Sequence, residues 1–255
     1  MRVGIDIRCF VAGKRTGVEE YTLNILERLF ELDQKNKYIL FTNSFSKPDF
    51  DFEVFSKFKN VTIKKFNYPN KLLNLCFWYL RWPQVDKMIG GADIFFMPNI
   101  NFIALSQKTK LVLTIHDLSY EIFSESFSWK RRLWHSILNP RKLAKRADKI
   151  IAVSDSTRQD IVLRWKIEKK KVIRIYNGIA DDFEPVDRNN PKLIEIKEKS
   201  KSMKAIVESL DMLGRTPAFV EVDAKKMTGK FVRLPERNEL NPEINELLVV
   251  EYYNR

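Results

Sequence analysis

Cysteine and histidine are scarce, two of each in 255 residues, and that scarcity removes two kinds of chemistry. Cys9 and Cys76 cannot build a framework of bridges, and a reducing cytoplasm is the expected setting. With His116 and His135, far apart in sequence, they make no recognisable metal-ligand set, so no metal is expected. Asp49-Phe50-Asp51 has the spacing of a metal-binding motif, but it lies in an aromatic loop segment rather than after a strand. No run of about 18 apolar residues occurs, so no spanning helix is expected. The opening MRVGIDIRCF carries Asp6 and Arg8 within its apolar run and reads as a strand, not a secretory leader. There is no full Walker pattern, no GxGxxG and no serine nucleophile elbow. No internal repeat or low-complexity tract is evident.

What is present is a chain long enough for one large or two modest domains, with 44% apolar and 31% charged residues and a net charge of +12. The charge is uneven: residues 1–188 hold 33 Lys and Arg against 22 Asp and Glu, whereas residues 189–255 hold 12 against 11. All five tryptophans lie in the first part. Such an excess points to anionic partners, whether a phospholipid surface, nucleotide phosphates or nucleic acid.

Seven β-rich runs punctuate that first part: Val3–Phe10, Tyr38–Thr42, Val61–Phe66, Ile94–Met97, Leu111–Ile115, Ile150–Val153 and Val172–Tyr176. Several are almost continuously apolar, as expected of a parallel sheet covered on both faces. Helical patterns fall between them. Val18, Tyr21, Ile25, Leu29 and Leu32 define one apolar stripe, and Ser156 with Gln159 reads as a capping box before Ile161, Val162 and Trp165. Alternating strands and helices predict a Rossmann-like parallel sheet flanked by helices. Ligands in such sheets lie beyond the carboxyl ends of the strands.

Candidate residues are therefore sought just after the strands. The loop VAGKRTGVEEY holds Gly13, Lys14, Arg15, Thr16 and Gly17 ahead of a helix whose free N–H groups suit an anion, although Glu19 and Glu20 oppose one; a plain turn and a ligand loop both fit. His116 and Asp117 close an apolar strand. There the histidine can donate to a substrate hydroxyl or carry a proton, or else be a core-edge residue satisfied by backbone. His135 reads as a surface or packing residue. Asn99, Ser154, Asn177 and Gly178 also sit at strand ends, where capping and turning explain them as well as ligand contact does. Two stretches could touch a membrane: Lys71–Ile89, rich in Leu, Phe and Trp, and Ser128–Ala147, which mixes apolar aromatics with cations and is broken by Pro140. Each fits either a helix packed on the sheet or one lying in an anionic membrane interface.

In order and spacing, MRVGIDIRCF, TGVEEYTLNILERL, TIHDLSY, ADKIIAVSDSTRQDI and VIRIYNGI resemble the N-terminal domain of family-four glycosyltransferases over about residues 1–188. The resemblance implies one half of a GT-B fold, in which two Rossmann-like domains face a cleft. It implies retaining transfer from a nucleotide-sugar to a sugar or glycolipid acceptor of the cell surface, without an essential metal or other cofactor. It places Gly13, Thr16 and Gly17 in the cleft loop and His116 against the transferred sugar, with Asp117 in the same motif. It also implies peripheral contact with the inner face of the plasma membrane. The family's donor-gripping Glu pair, eight residues apart, is matched in spacing by Glu19 with Glu27 and by Glu243 with Glu251, but in neither case in context. The donor domain is thus expected to be missing, and turnover by this chain alone is doubtful.

The remainder is organised otherwise. Lys201–Leu213 reads as a helix closed by Gly214, and Phe231–Leu234 and Leu247–Tyr253 read as strands, giving a small α+β segment over 200–255. EIKEKSKSMKAIVESL and GKFVRLPERNELNPEINELLVVEYYNR resemble the C-terminus of the bacterial small-subunit ribosomal protein called S-four, which implies weak, salt-sensitive RNA contact through Lys197, Lys199, Lys201, Lys204, Arg233 and Arg237. The intervening 189–199 suits both parts and reads as a seam where two coding sequences were joined.

Overall fold

A computed structural model describes residues 1–12, 16–123, 125, 128–178, 193–196, 198–211, 216–233 and 235–239. The chain divides into two compact units, Met1–Gly178 and Ile179–Arg255.

The first unit is built on seven strands: β1 (Arg2–Asp6), β2 (Lys37–Asn43), β3 (Val61–Phe66), β4 (Ile94–Met97), β5 (Lys110–Ile115), β6 (Lys149–Ala152) and β7 (Val172–Arg174). All pair in parallel, in the order β3-β2-β1-β4-β5-β6-β7. This is the Rossmann-like sheet that the apolar runs predicted. The strand order reverses between β1 and β4, so a crevice opens outside the carboxyl ends at that point.

Two corrections concern strand ends. The first strand stops at Asp6 rather than reaching Phe10, because the Asp6 carboxylate accepts the Arg8 N–H at 3.0 Å and bends the chain into a 3-10 turn over Arg8–Ala12. The seventh stops at Arg174, with one further bond from Ile175 N to Ala152 O at 3.0 Å.

Helix α1 (Gly17–Leu32) buries Leu26 and Phe30 on one face of the sheet, among Ile5, Leu40, Phe55 and Phe96. The predicted stripe is one residue out of phase. Ile25 and Leu29 are only partly buried and Leu32 is exposed, because the Phe30 ring, not its neighbours, fits between Tyr38, Phe55 and Phe58. The opposite face is covered by α2 (Asn70–Leu75), which runs on into a π-helical turn at Cys76–Leu80, and by α3 (Val85–Met88), α4 (Ser119–Ile122), α6 (Pro140–Arg146) and α7 (Asp155–Trp165), whereas α5 (Trp129–Leu138) is mostly exposed. Phe77, Phe95, Met97, Leu113 and Trp165 lie at the centre of that core. Each such side chain contributes about 1.5–3 kcal/mol by leaving water. The Trp165 indole N–H is satisfied by Glu121 Oε2 at 2.6 Å. The α7 cap is Ser154, whose Oγ accepts Thr157 N at 3.0 Å, and not the predicted Ser156. Asn139, in the left-handed region at φ 50°, separates α5 from α6, and the expected Pro140 break falls there.

Gly4 sits mid-β1, where a Cβ would lie 2.6 Å from the Phe95 ring and 2.7 Å from Ile89 Cδ1. Both neighbours are fully buried and have nowhere to retreat, so the central strand packs closely only with glycine there. No described helix is long and apolar enough to cross a membrane.

The second unit is described over part of its length. Strands β8 (Leu193–Glu195), β9 (Val220–Asp223) and β10 (Thr228–Phe231) form an antiparallel sheet in the order β8-β10-β9. The expected single helix is two pieces, α8 (Glu198–Lys201) and α9 (Lys204–Asp211). The chain restarts at Met203, whose carbonyl accepts Val207 N at 3.1 Å. The strand placed at Phe231–Leu234 lies three residues earlier, paired to β9 across the turn 224–227. Leu247–Tyr253 lies outside the described residues.

Candidate active site

The carboxyl edge of the sheet carries three anchored features beside the point where strand order reverses. The first is the Asp6–Arg8 pair at the end of β1. The Arg8 guanidinium donates to Asp6 through Nε at 2.9 Å and Nη2 at 2.6 Å, and Nη2 also donates to the Phe102 carbonyl at 2.7 Å. The two side chains are only 7% and 5% exposed. The guanidinium carbon also stands 5.3 Å from the Phe41 ring centre and 5.6 Å from that of Phe77. Burying both charges is costly, and these further donor and π contacts offset that cost.

The second is His116, immediately after β5. Its Nε2 lies 2.9 Å from the Pro98 carbonyl oxygen. A carbonyl only accepts, so the proton sits on Nε2 and Nδ1 carries the lone pair in the neutral ring. Burial lowers the His116 pKa, against the opposing pull of the Pro98 carbonyl and the Asp117 carboxylate, so the neutral ring is favoured. Tyr21 presents its ring edge-on at 4.8 Å and 89°, and its hydroxyl lies 3.3 Å from Thr114 Oγ1. Burial raises the Tyr21 pKa, which keeps the phenol protonated. The His116 carbonyl accepts Thr157 Oγ1 at 3.0 Å, tying β5 to the start of α7. Of the two expected senses, donating to a hydroxyl and carrying a proton, the held neutral ring suits the second, with Nδ1 as the acceptor. Asp117 is exposed and accepts Ser119 N at 2.7 Å at the start of α4.

The third is the start of α1. Thr16 is its N-cap, and Thr16 N donates to Glu19 Oε2 at 2.9 Å in a capping box. Glu19 is buried in this local role, and Glu27 holds Lys57 Nζ at 2.7 Å, so the glutamate pair spaced by eight is structural. Gly17 has ordinary helical backbone and open space around its missing Cβ, so the fold itself does not demand a glycine there. Gly13 and Arg15 lie outside the described residues.

The remaining candidates are not drawn together. Asn99 Oδ1 accepts the next backbone N–H, from Ile100, at 2.8 Å. Ser154 is occupied as the α7 cap, and Asn177 and Gly178 are exposed beyond β7. Asp51 caps the short turn Phe52–Phe55 through Glu53 N, and Phe50 stacks on Phe10 at 4.2 Å, so Asp49-Phe50-Asp51 is part of the packing. His135 stacks on Tyr120 at 4.0 Å. No three His, Cys, Asp or Glu side chains gather at metal-binding distance among the described residues. Tyr21 and the Asp6–Arg8 pair went unassigned as site residues. The available signal was two opposite charges set in an otherwise apolar strand.

Residues 15–183 match the family model of Glycosyltransferase Family 4. The chain belongs to that family. Over 64 residues, a quarter of its length, this family-four chain is 55% identical to small ribosomal subunit protein uS4 of Exiguobacterium sp. and 52% identical to that of Streptococcus mutans. It spans 32% of the length of those relatives. Among solved structures, a glycosyltransferase from Rickettsia africae is 18% identical, with 85% of this chain and 51% of that chain covered at a TM-score of 0.40. The lipopolysaccharide outer core galactosyltransferase WaaB is 13% identical, with 75% and 50% covered at 0.42. The chain thus spans about half of each.

Two outcomes follow for this glycosyltransferase domain. Arg8→Leu leaves the Asp6 carboxylate buried and unpaired, and is expected to destabilise the fold by about 3–5 kcal/mol in urea titration; Asp6→Leu combined with Arg8→Leu should recover a large part of that loss. By NMR, the His116 ring should titrate below the ordinary histidine value of about 6.5. The unfolded chain then takes up its proton first as pH falls, so stability is full above about pH 6.5 and declines on the acid side, and His116→Gln should flatten that part of the stability profile.

Proposed function

We propose that residues 1–178 are the acceptor-side half of a retaining glycosyltransferase that uses a nucleotide-sugar donor and a sugar or glycolipid acceptor of the cell surface, with no metal or other cofactor. The observation that carries this reading is His116, held by the Pro98 carbonyl at the carboxyl end of β5 with Nδ1 left as an acceptor. Such a group can orient an acceptor or sugar hydroxyl and take up its proton. Gly17, with open space about its Cα, suits close approach of a ligand to the start of α1.

The reading includes peripheral attachment to the inner face of the plasma membrane. Tyr79 and Trp82 beside α2, at 75% and 65% exposed, and Trp129 and Leu133 on α5 carry apolar surface beside cations. The basic excess of residues 1–188 suits an anionic lipid surface.

By itself the chain is proposed to be inactive or nearly so. The described part of the second unit is an antiparallel sheet with short helices, and offers no parallel sheet edge to hold a nucleotide. Without donor contacts the transition state loses its main phosphate and sugar interactions. The 55% identity to uS4 over 64 residues, taken with the resemblance of 194–255, favours a second reading for that segment, a remnant rRNA-binding element. Its affinity should be modest, since Lys201 is engaged by Glu198 and Arg233 by Glu239. We further propose that two coding sequences meet within 189–199. Long sequencing reads across the locus test this: an in-frame junction in every read supports a natural fusion, whereas divergent continuations past codon 199 trace the junction to sequence assembly.

Transfer assays with a panel of nucleotide-sugars and lipid extracts should give no turnover from the chain alone. Adding a donor-binding lobe in trans should give turnover that falls about 10²-fold or more in His116→Ala. Robust transfer by the chain alone, or transfer indifferent to His116, overturns the reading.

A further inference from the structure

Among the described residues, the ring of His116 has one hydrogen-bond partner, the Pro98 carbonyl oxygen, 2.9 Å from Nε2. That bond leaves a freedom open. In an imidazole side chain Nε2 lies close to the line of the Cβ–Cγ bond, while Nδ1 stands well to one side. Rotation about Cβ–Cγ therefore moves Nε2 little and swings Nδ1 through an arc. In histidine this torsion is broad and soft, without the three sharp wells of a bond between tetrahedral carbons. A second contact is needed to aim the Nδ1 lone pair. Thr157 does not supply it, since its hydroxyl donates to the His116 backbone carbonyl at 3.0 Å and not to the ring. Nor does close packing behind Pro98. Phe102 and Ile103 of the same loop, with Phe77, border a cavity of about 480 Å³ between the π-helical turn at Cys76–Leu80 and helices α5 and α6, so the loop is backed by open space on that side.

Tyr21 meets the ring directly. The ring centres are 4.8 Å apart and the planes cross at 89°, within the range where an edge-to-face pair is favourable. Turning the imidazole about Cβ–Cγ loses that crossing angle or drives one ring into the other. Tyr21 is itself fixed at both ends. Its backbone lies in the second turn of α1, behind the capping box of Thr16 and Glu19 and beside the fully buried Thr22. Its hydroxyl lies 3.3 Å from Oγ1 of Thr114, which is also fully buried. Thr114 precedes His116 by two residues, so one side chain from α1 braces both the end of β5 and the ring that follows it. Filling space does not account for this placement. Phe30, which fills the core under α1, is 0% exposed, whereas Tyr21 is only partly buried and brings a hydroxyl that has to be satisfied.

We propose that Tyr21 is a positioning residue for His116, its ring pinned through the hydroxyl to Thr114 and setting the torsion that aims Nδ1. The proposal deepens the function proposed above and rests on that reading only for the use made of Nδ1. The orientation of the ring belongs to the fold and is measured without any substrate.

Carbon relaxation NMR of the histidine rings tests it, on the full chain with neither donor nor acceptor present. The His116 ring should be rigid, with an order parameter of about 0.85, and Tyr21→Leu should bring it below about 0.6. Tyr21→Phe keeps the ring contact and should stay close to the unchanged chain. His135, stacked on Tyr120 at 4.0 Å, is the control: a general loosening of the fold moves it too, and its order parameter should be the same in all three chains. Tyr21→Met takes the place of Tyr21→Leu if that variant does not fold. A His116 ring that stays rigid without the aromatic ring at position 21, or is already below about 0.6 in the unchanged chain, overturns the proposal. So does equal loosening of His135, or Tyr21→Phe behaving like Tyr21→Leu. Since no sugar is transferred in this measurement, a ring that stays rigid leaves the transferase reading standing, and transfer indifferent to His116 leaves the brace standing.

Discussion

The first unit depends on an ion pair that its core would otherwise exclude. Asp6 and Arg8 are two residues apart at the end of an apolar strand and almost completely buried. They persist because the carboxylate accepts both guanidinium and backbone donors, and the guanidinium reaches on to the Phe102 carbonyl. That last bond joins the end of β1 to the loop after β4, across the point where strand order reverses. The same loop begins at Pro98, whose carbonyl fixes the His116 ring, and Phe102 together with Phe77 forms part of the cavity wall. One buried pair therefore ties the end of β1 to the loop that anchors the histidine and forms part of the cavity wall.

The sheet was legible in the sequence because it is parallel and covered on both faces, which writes each strand as a short apolar run. Boundaries were legible only where no side chain intervened. At Asp6 a carboxylate captured a backbone N–H and ended the strand four residues early, an event that hydropathy does not record. The α1 stripe slipped by one residue because ring packing at Phe30 chose the buried line within a broad apolar face. In the second unit the sequence indicated the absence of alternating strands and helices but not which short segment would pair, since β9 carries two acidic residues among its four and looks exposed throughout.

The site was legible in part for similar reasons. A histidine closing an apolar strand is conspicuous. The polarity of its ring is not, because that is set by a carbonyl 18 residues away. Tyr21 looked like one more aromatic on a helix face until the fold brought it against His116. Arg81 was one cation in a basic stretch. Its left-handed backbone, which closes the π-helical turn, leaves no trace in composition.

Holding an acceptor and transferring a sugar to it are separate tasks. Almost all the net positive charge, 33 cations against 22 acids, lies on the half of the chain that carries the cavity and His116. That charge favours phosphate-bearing ligands whether or not a reaction follows. Rate acceleration needs contacts stronger in the transition state than in the ground state, and in glycosyl transfer most of the charge that develops there is on the departing nucleotide phosphate. A surface that grips a ligand equally in both states adds nothing to the rate. Binding energy is converted into rate only where a surface also meets the leaving group, so the low turnover proposed for this chain alone turns on donor contacts and not on how tightly an acceptor is held.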